Sequence, residues 1–165
     1  MPTSDEQSAM TLVHQLRAVT VELDLLGAEF ARKHRLHPTD LRALIHLLDA
    51  ERAGISATPT WLTEQMALDA SSVTALIGRL VKAGHVRRYR DPSDGRRVLL
   101  EVDEQAVALG WSFFGPLIKD LVGTLRSFEP ADLDAVTRFL AAAVAAIERQ
   151  RSQRDDRTGE APRRG

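Results

Sequence analysis

The sequence predicts a mainly α-helical protein built around one small β-hairpin, and three observations within residues 69–102 carry that expectation. First, in DASSVTALIGRLVKAGHVRRYRDPSDGRRVLLEV the apolar residues Val73, Leu76, Ile77 and Leu80 recur at helical spacing. Asp69 precedes them, and its carboxylate is suited to capping the amides of a first turn. Second, Gly84 stands where a helix end wants positive φ. Third, Val86 and then Val98, Leu100 and Val102 alternate with polar residues as in two half-buried strands, with the turn formers Asp91-Pro92-Ser93-Asp94-Gly95 between them. A capped helix followed by such a hairpin is the plan of a winged helix-turn-helix. The expected order along the chain is helix, helix, short strand, helix, helix, strand, wing, strand, helix, helix, with a helical dimerisation region around the winged part.

Residues 1–7 are polar and expected to be disordered. From Ser8 to Lys33 the residues Val13, Leu16, Val19, Leu23, Leu26 and Phe30 step by three and four, predicting one long helix, and residues 8–35 are read as the first dimerisation element. Pro38 suits a helix's first position and Asp40 its positive end, so a second helix runs to about Arg52, burying Leu41, Leu44, Ile45 and Leu48. Gly54 ends it, and Ile55 to Ala57 is read as a short strand pairing with the wing sheet. Thr58-Pro59 starts a third helix, to about Ala67, which packs Leu62, Met66 and Trp61. Leu68-Asp69-Ala70 is then the turn of a helix-turn-helix within a DNA-binding lobe at 36–102.

Asp103 caps a fifth helix whose apolar residues, from Val107 to Phe128, cover more than one face and so need two partners. Gly115-Pro116 is expected to kink or break it. Pro130 starts a sixth helix with a stripe through Leu133, Val136, Leu140, Val144 and Ile147, and 103–150 is read as the second dimerisation region. The stripes of the first, fifth and sixth helices cannot all be covered within one 165-residue chain, so a homodimer is expected. The tail, 151–165, mixes charge with Gly and Pro and is expected to be disordered.

Charge supports a nucleic-acid partner. Between residues 79 and 97, Arg79, Lys82, Arg87, Arg88, Arg90, Arg96 and Arg97 face only Asp91 and Asp94, a net +5 in a chain that is −1 overall. One dense basic stripe on an acidic body is the footprint of a phosphate-backbone binder. In a helix-turn-helix the second helix puts its N-terminal residues into the major groove of double-stranded DNA. Here those are Ser71, Ser72, Thr74 and Ala75, with Arg79 one turn further on. The hydroxyls can bond phosphates or bases, and the methyls of Thr74 and Ala75 can touch a thymine methyl. No Arg, Asn or Gln stands in the first two turns for a bidentate base contact.

The segment from about Leu36 to Asp103 resembles the MarR family of bacterial transcription regulators. The wing carries that family's Asp-x-Arg signature as Asp94-Gly95-Arg96, followed by Leu100-x-Val102-Asp103 where the family usually shows Leu-Thr. Flanking helices extend the likeness to about residues 8–150. The resemblance favours Arg96 as the residue that enters the minor groove, where a guanidinium reads shape, over a pair that merely stabilises a hairpin. Asp94 would hold that guanidinium through a bidentate pair, while Arg88, Arg90 and Arg97 would meet phosphates or stay solvated. The resemblance also implies an effector pocket between the DNA-binding lobe and the dimerisation helices, with Trp111 and Phe114 as its lining.

Other classes are excluded by what is missing. The chain has no cysteine, which removes disulfides, thiolate metal sites and thiol redox sensing. There is no phosphate-binding glycine loop or triad spacing, so no enzyme and no cofactor are expected. His34-x-x-His37 is the one pair resembling metal ligands, and without a third ligand it predicts no metal site. No run approaches the ~18 apolar residues of a membrane span, and the N-terminus lacks signal-peptide character, so a cytoplasmic protein is expected. The reading is a homodimeric regulator, most simply a repressor, that binds a pseudo-palindromic operator and is released by a small molecule. The rival is a winged-helix protein-interaction module that has lost DNA binding.

Overall fold

The computed structural model describes residues 3–159. Within them the order is α1 (Ser4–Lys33), α2 (Pro38–Arg52), α3 (Pro59–Met66), α4 (Ala70–Lys82), β1 (Val86–Arg90), β2 (Val98–Val102), α5 (Glu104–Leu125) and α6 (Pro130–Gly159). The chain divides into two compact units, residues 1–113 and 114–165. The mainly helical winged-helix class expected from the sequence is what the chain adopts.

Helix boundaries follow local chemistry. α1 begins four residues earlier than its apolar stripe predicts. Thr3 Oγ1 accepts from the Glu6 amide at 3.2 Å, and Glu6 Oε2 accepts from the Thr3 amide at 2.7 Å. This reciprocal cap turns residues 4–7, expected to be disordered, into helix. The expected caps of α3 and α4 form: the Trp61 amide donates to Thr58 Oγ1 at 3.1 Å and the Ser72 amide to Asp69 Oδ1 at 2.8 Å. α4 stops as expected, with Gly84 at φ 73° and the His85 amide bonded to the Leu80 carbonyl at 2.9 Å. α1 closes the same way with Arg35 at φ 57° and a 2.8 Å bond from Leu36 to Ala31. There a side chain occupies a conformation that costs about 1–2 kcal/mol without glycine.

The core of the first unit joins Ala43, Leu44 and Leu47 of α2, Leu62 of α3, Val73, Leu76, Ile77 and Leu80 of α4, and Val86, Leu100 and Val102 of the sheet. Each large aliphatic residue buried there contributes about 1.5–3 kcal/mol. The buried stripe of α2 corrects the sequence reading: Ile45 is 47% exposed, whereas Leu47 and Ala50 are buried. Leu41 and Leu44 are buried as expected and Leu48 packs partly on the core, but Asp40, Ala43 and Leu47 also point inward, which buries the Asp40 carboxylate.

The sheet has two antiparallel strands, with Val86 opposite Val102, Arg88 opposite Leu100 and Arg90 opposite Val98. The short strand expected at Ile55–Ala57 does not form. The Ile55 amide closes the end of α2 on the Ala50 carbonyl at 2.8 Å, and Thr58 already caps α3, which leaves too little free backbone for a ladder. One bond remains of it, from the Leu100 amide to the Ala57 carbonyl at 2.9 Å.

α5 runs unbroken through Pro116. The preceding residue is Gly115, which has no Cβ to clash with the proline ring, so the helix continues although one backbone donor is lost. Its length and composition, with mean hydropathy 1.2 over an 18-residue window, are enough to cross a membrane. The sequence reading found no such run because Ser112, Pro116 and the charged pair Lys119-Asp120 interrupt the apolar residues. α6 continues to Gly159, so residues 151–159 of the expected disordered tail are helical. No proline or glycine stands between Pro130 and Gly159 to end the helix sooner. Residues 160–165 lie outside the described residues.

Candidate nucleic-acid interface

α3 and α4 are joined by Ala67, Leu68 and Asp69, with Ala67 at φ 49° reversing the chain. α4 then buries Val73, Leu76, Ile77 and Leu80, which leaves Ser71, Ser72, Thr74, Ala75 and Arg79 on its exposed side. The five predicted residues of this helix therefore share its outward surface. The three hydroxyls are engaged locally. Ser71 Oγ and Ser72 Oγ donate to the two oxygens of Asp69, the latter at 2.6 Å, and Thr74 Oγ1 donates to the Ala70 carbonyl at 2.7 Å. The Ser71 hydroxyl first, then the Ser72 hydroxyl and the Ser72 amide, hold the Asp69 carboxyl well below the usual carboxylate range.

Arg79 is not a free cation. Its Nη2 lies 2.7 Å from Asp40 Oδ1 and its Nε 3.4 Å from Oδ2, a two-pronged pair with the buried acid of α2. This pair holds the guanidinium even more firmly protonated than usual. The sequence reading placed Asp40 only as a first-turn acid complementing the helix dipole. Its position three and four residues before Ala43 and Leu44, on the inward face, was the available signal.

The wing is organised by Asp91, which the sequence reading counted only among turn formers. Asp91 Oδ1 accepts from the Ser93 amide at 2.8 Å and the Ser93 hydroxyl at 2.6 Å, and Oδ2 lies 3.3 Å from Arg97 Nη1. The Ser93 hydroxyl first, its amide next and Arg97 after them keep this carboxyl below its ordinary range. Asp94 does not hold the Arg96 guanidinium, as was expected. Its carboxylate instead accepts from the Arg96 backbone amide at 3.1 Å, because the tight turn brings that amide within reach first. Arg90 Nη1 donates to the Gly95 carbonyl at 2.7 Å and so ties strand to turn. Arg87 lies 3.5 Å from both Glu101 and Asp103.

The basic stripe thus separates into two sets. Arg79, Arg87 and Arg97 are balanced by carboxylates, whereas Lys82, Arg88, Arg90 and Arg96 face no carboxylate among the described residues and are exposed. Lys82 is the cation that the expected site omitted. Of the two aromatic residues expected at an effector pocket, Trp111 is 52% exposed and Phe114 is half-buried; they fall in separate compact units. The imidazoles of His34 and His37 are engaged apart, the first against the Phe30 ring at 4.5 Å and the second with the Thr39 hydroxyl at 2.6 Å.

Known proteins share this fold. Residues 36–97 match the MarR family. The chain is 30% identical over 145 residues to the HTH-type transcriptional regulator YcgE of Bacillus subtilis (strain 168), spanning 88% of this chain and 90% of that protein. A MarR family protein from Bacillus stearothermophilus has the same fold at 23% identity and TM-score 0.60, covering 88% of this chain and 99% of that one. MepR of S. aureus matches at 12% identity over 82% of this chain. Its TM-scores are 0.67 for a point mutant from a multidrug resistant clinical isolate, 0.53 for its DNA complex and 0.55 when bound to ethidium bromide, with 96%, 98% and 95% of those chains covered.

Proposed function

The chain belongs to the MarR family of DNA-binding transcriptional regulators, and on that premise we propose that it represses transcription as a homodimer on a pseudo-palindromic operator, from which a small molecule releases it. The carrying observation is the set of uncompensated cations Lys82, Arg88, Arg90 and Arg96, on the same compact unit as the outward face of α4. In this reading α4 enters the major groove through Ser71, Ser72, Thr74 and Ala75. Arg96 enters the minor groove, and Lys82, Arg88 and Arg90 meet phosphates. Arg79 and Arg97 orient α4 and the wing through their acids, and Asp94 fixes the turn that presents Arg96.

The dimer reading rests on apolar surface. Val13, Val21 and Leu25 of α1, Leu121 of α5 and Leu140 and Ile147 of α6 are all exposed in the single chain. A second subunit over them would remove that area from water, and it accounts for the apolarity of α5 without a membrane. Residues 8–35 and 103–150 are therefore assigned to dimerisation and 36–102 to DNA. Two-fold symmetry then sets the recognition helices about 34 Å apart, one turn of DNA. A dimer seated over a promoter excludes polymerase, which makes repression the simplest outcome, and the reading places the protein in the cytoplasm. MepR, whose fold is shared, binds ethidium bromide, so a planar aromatic compound is the first effector probe, with Trp111 and Phe114 the residues to test.

A mobility-shift titration of the full chain against the DNA upstream of its own gene, beside an unrelated duplex, tests the reading. Tight binding to the first alone, weakened by an aromatic effector, is expected. Equal and feeble binding to both duplexes would overturn operator recognition and restore the protein-interaction rival.

A further inference from the structure

The polarity of the hydrogen bonds at the start of α4 specifies which bases it can read. A serine or threonine hydroxyl has one proton to donate and two lone pairs with which to accept. On α4 all three protons are committed within the chain: Ser71 and Ser72 donate to the two oxygens of Asp69, and Thr74 donates to the Ala70 carbonyl at 2.7 Å. The sense of the first two bonds follows from chemistry, because an ionised carboxylate only accepts. Asp69 is ionised at neutral pH, its carboxyl being held well below the usual range by those same donors. The residues carrying the hydroxyls are exposed, so what they offer a partner is lone pairs.

We propose that the first two turns of α4 form an acceptor-only reading face, matched to the exocyclic amino groups of adenine or cytosine and mismatched to guanine. In the major groove adenine presents its N6 amino group and cytosine its N4 amino group, whereas guanine presents only the acceptors N7 and O6. Acceptor against acceptor repels, so guanine opposite Ser71, Ser72 or Thr74 is rejected rather than ignored. Phosphate oxygens are acceptors too, and they meet the Asp69 charge as well, so these hydroxyls are turned to bases and not to the backbone. Ala75, exposed on the same side, suits a thymine methyl, and an A·T pair then satisfies both kinds of contact. This inference rests on α4 being the groove-reading helix, as proposed above.

The test uses the full chain and a duplex that it selects from a random-sequence library, with affinity read by fluorescence anisotropy at one salt concentration. Each adenine is replaced in turn by purine, which lacks the 6-amino group, each cytosine by 2-pyrimidinone, and each guanine by 7-deazaguanine. At one or more adenines or cytosines the loss of the amino group weakens binding about three- to tenfold, the range of a single hydrogen bond. That sensitivity disappears in Ser71→Ala, Ser72→Ala or Thr74→Ala. Ser72→Ala retains the backbone amide that Asp69 caps at 2.8 Å, so the helix start is preserved. A hydroxyl-dependent loss at 7-deazaguanine would show a donating hydroxyl and overturn the proposal. Ala75→Trp separates the two levels of the argument. If it abolishes binding while no amino-group effect depends on the hydroxyls, the acceptor-only face is wrong and α4 remains the reader. If it leaves binding intact, α4 is not in the groove and both fall.

Discussion

Counterion release offers a direct measure of which wing cations meet DNA. Arg79, Arg87 and Arg97 are already balanced by Asp40, by Glu101 with Asp103, and by Asp91, which leaves Lys82, Arg88, Arg90 and Arg96. Two subunits then bring about eight cations to the DNA, roughly six to phosphates and two into the minor groove, and at about 0.9 per displaced counterion log K should fall with log salt at a slope of about −7. Arg96→Ala removes one charge per subunit, lowering the slope to about −5. Between 50 and 200 mM salt the wild-type protein should lose about 10⁴-fold in affinity and the variant only about 10³-fold. The double variant Arg87→Gln, Glu101→Gln deletes a balanced pair and should leave the slope unchanged. Anisotropy titrations across that salt range, on one duplex, give all three slopes. A wild-type slope for Arg96→Ala would place that guanidinium in solvent. A slope reduced equally by the neutral double variant would refute the division of the stripe into balanced and free cations.

Other consequences can be checked separately. Gly84→Ala should destabilise the protein by about 1–2 kcal/mol in urea denaturation, the backbone cost of φ 73° alone, since an added Cβ meets nothing within 4 Å; an unchanged midpoint would mean that the turn relaxes freely. The Asp91 carboxyl is depressed on folding, so its contribution is complete above the unfolded value near ~3.9 and is lost as pH falls through the lower folded value. Asp91→Asn should therefore flatten the acid limb of a stability-against-pH curve, and an acid limb identical to wild type would remove this carboxylate from the wing's stability. Leu140→Glu, at an exposed apolar position of α6, should convert the sedimenting species from dimer to monomer; a wild-type species that already sediments as a folded monomer at micromolar concentration would overturn the dimer itself.

Periodicity made α4 legible because Val73, Leu76, Ile77 and Leu80 all fall on one face, and only Val81 among its large aliphatic residues is exposed. α2 was legible in part: Leu41 and Leu44 are buried as expected and Leu48 packs against the core, but Ile45 is exposed while Asp40, Ala43 and Leu47 are buried. The phase is decided by packing against α3 and the sheet, which no local pattern encodes. Caps at Thr58 and Asp69 and the stop at Gly84 were readable because each depends on one residue and its immediate amides. The wing's chemistry was readable in composition but not in connection. Asp91 and Asp94 are the same residue type three positions apart, and only the turn's geometry assigns Ser93 and Arg97 to one and the Arg96 amide to the other. Likewise the pairing of Arg87 with Glu101 needs the strand register, and that of Arg79 with Asp40 spans 39 positions. The cations could be counted in advance, but their partners could not.

The Asp40–Arg79 pair means that α4 is not an interchangeable cassette. A chimera importing α4 from a relative with an apolar residue at position 79 would strand a carboxylate that the fold keeps almost wholly from water, and an unpaired buried charge disrupts its surroundings far more than a lost surface contact does. Transplanting α4 alone would thus confound a change of DNA preference with a loss of folding. The unit that can be exchanged cleanly is α4 together with the first turn of α2, two segments far apart along the chain that form a single heritable block.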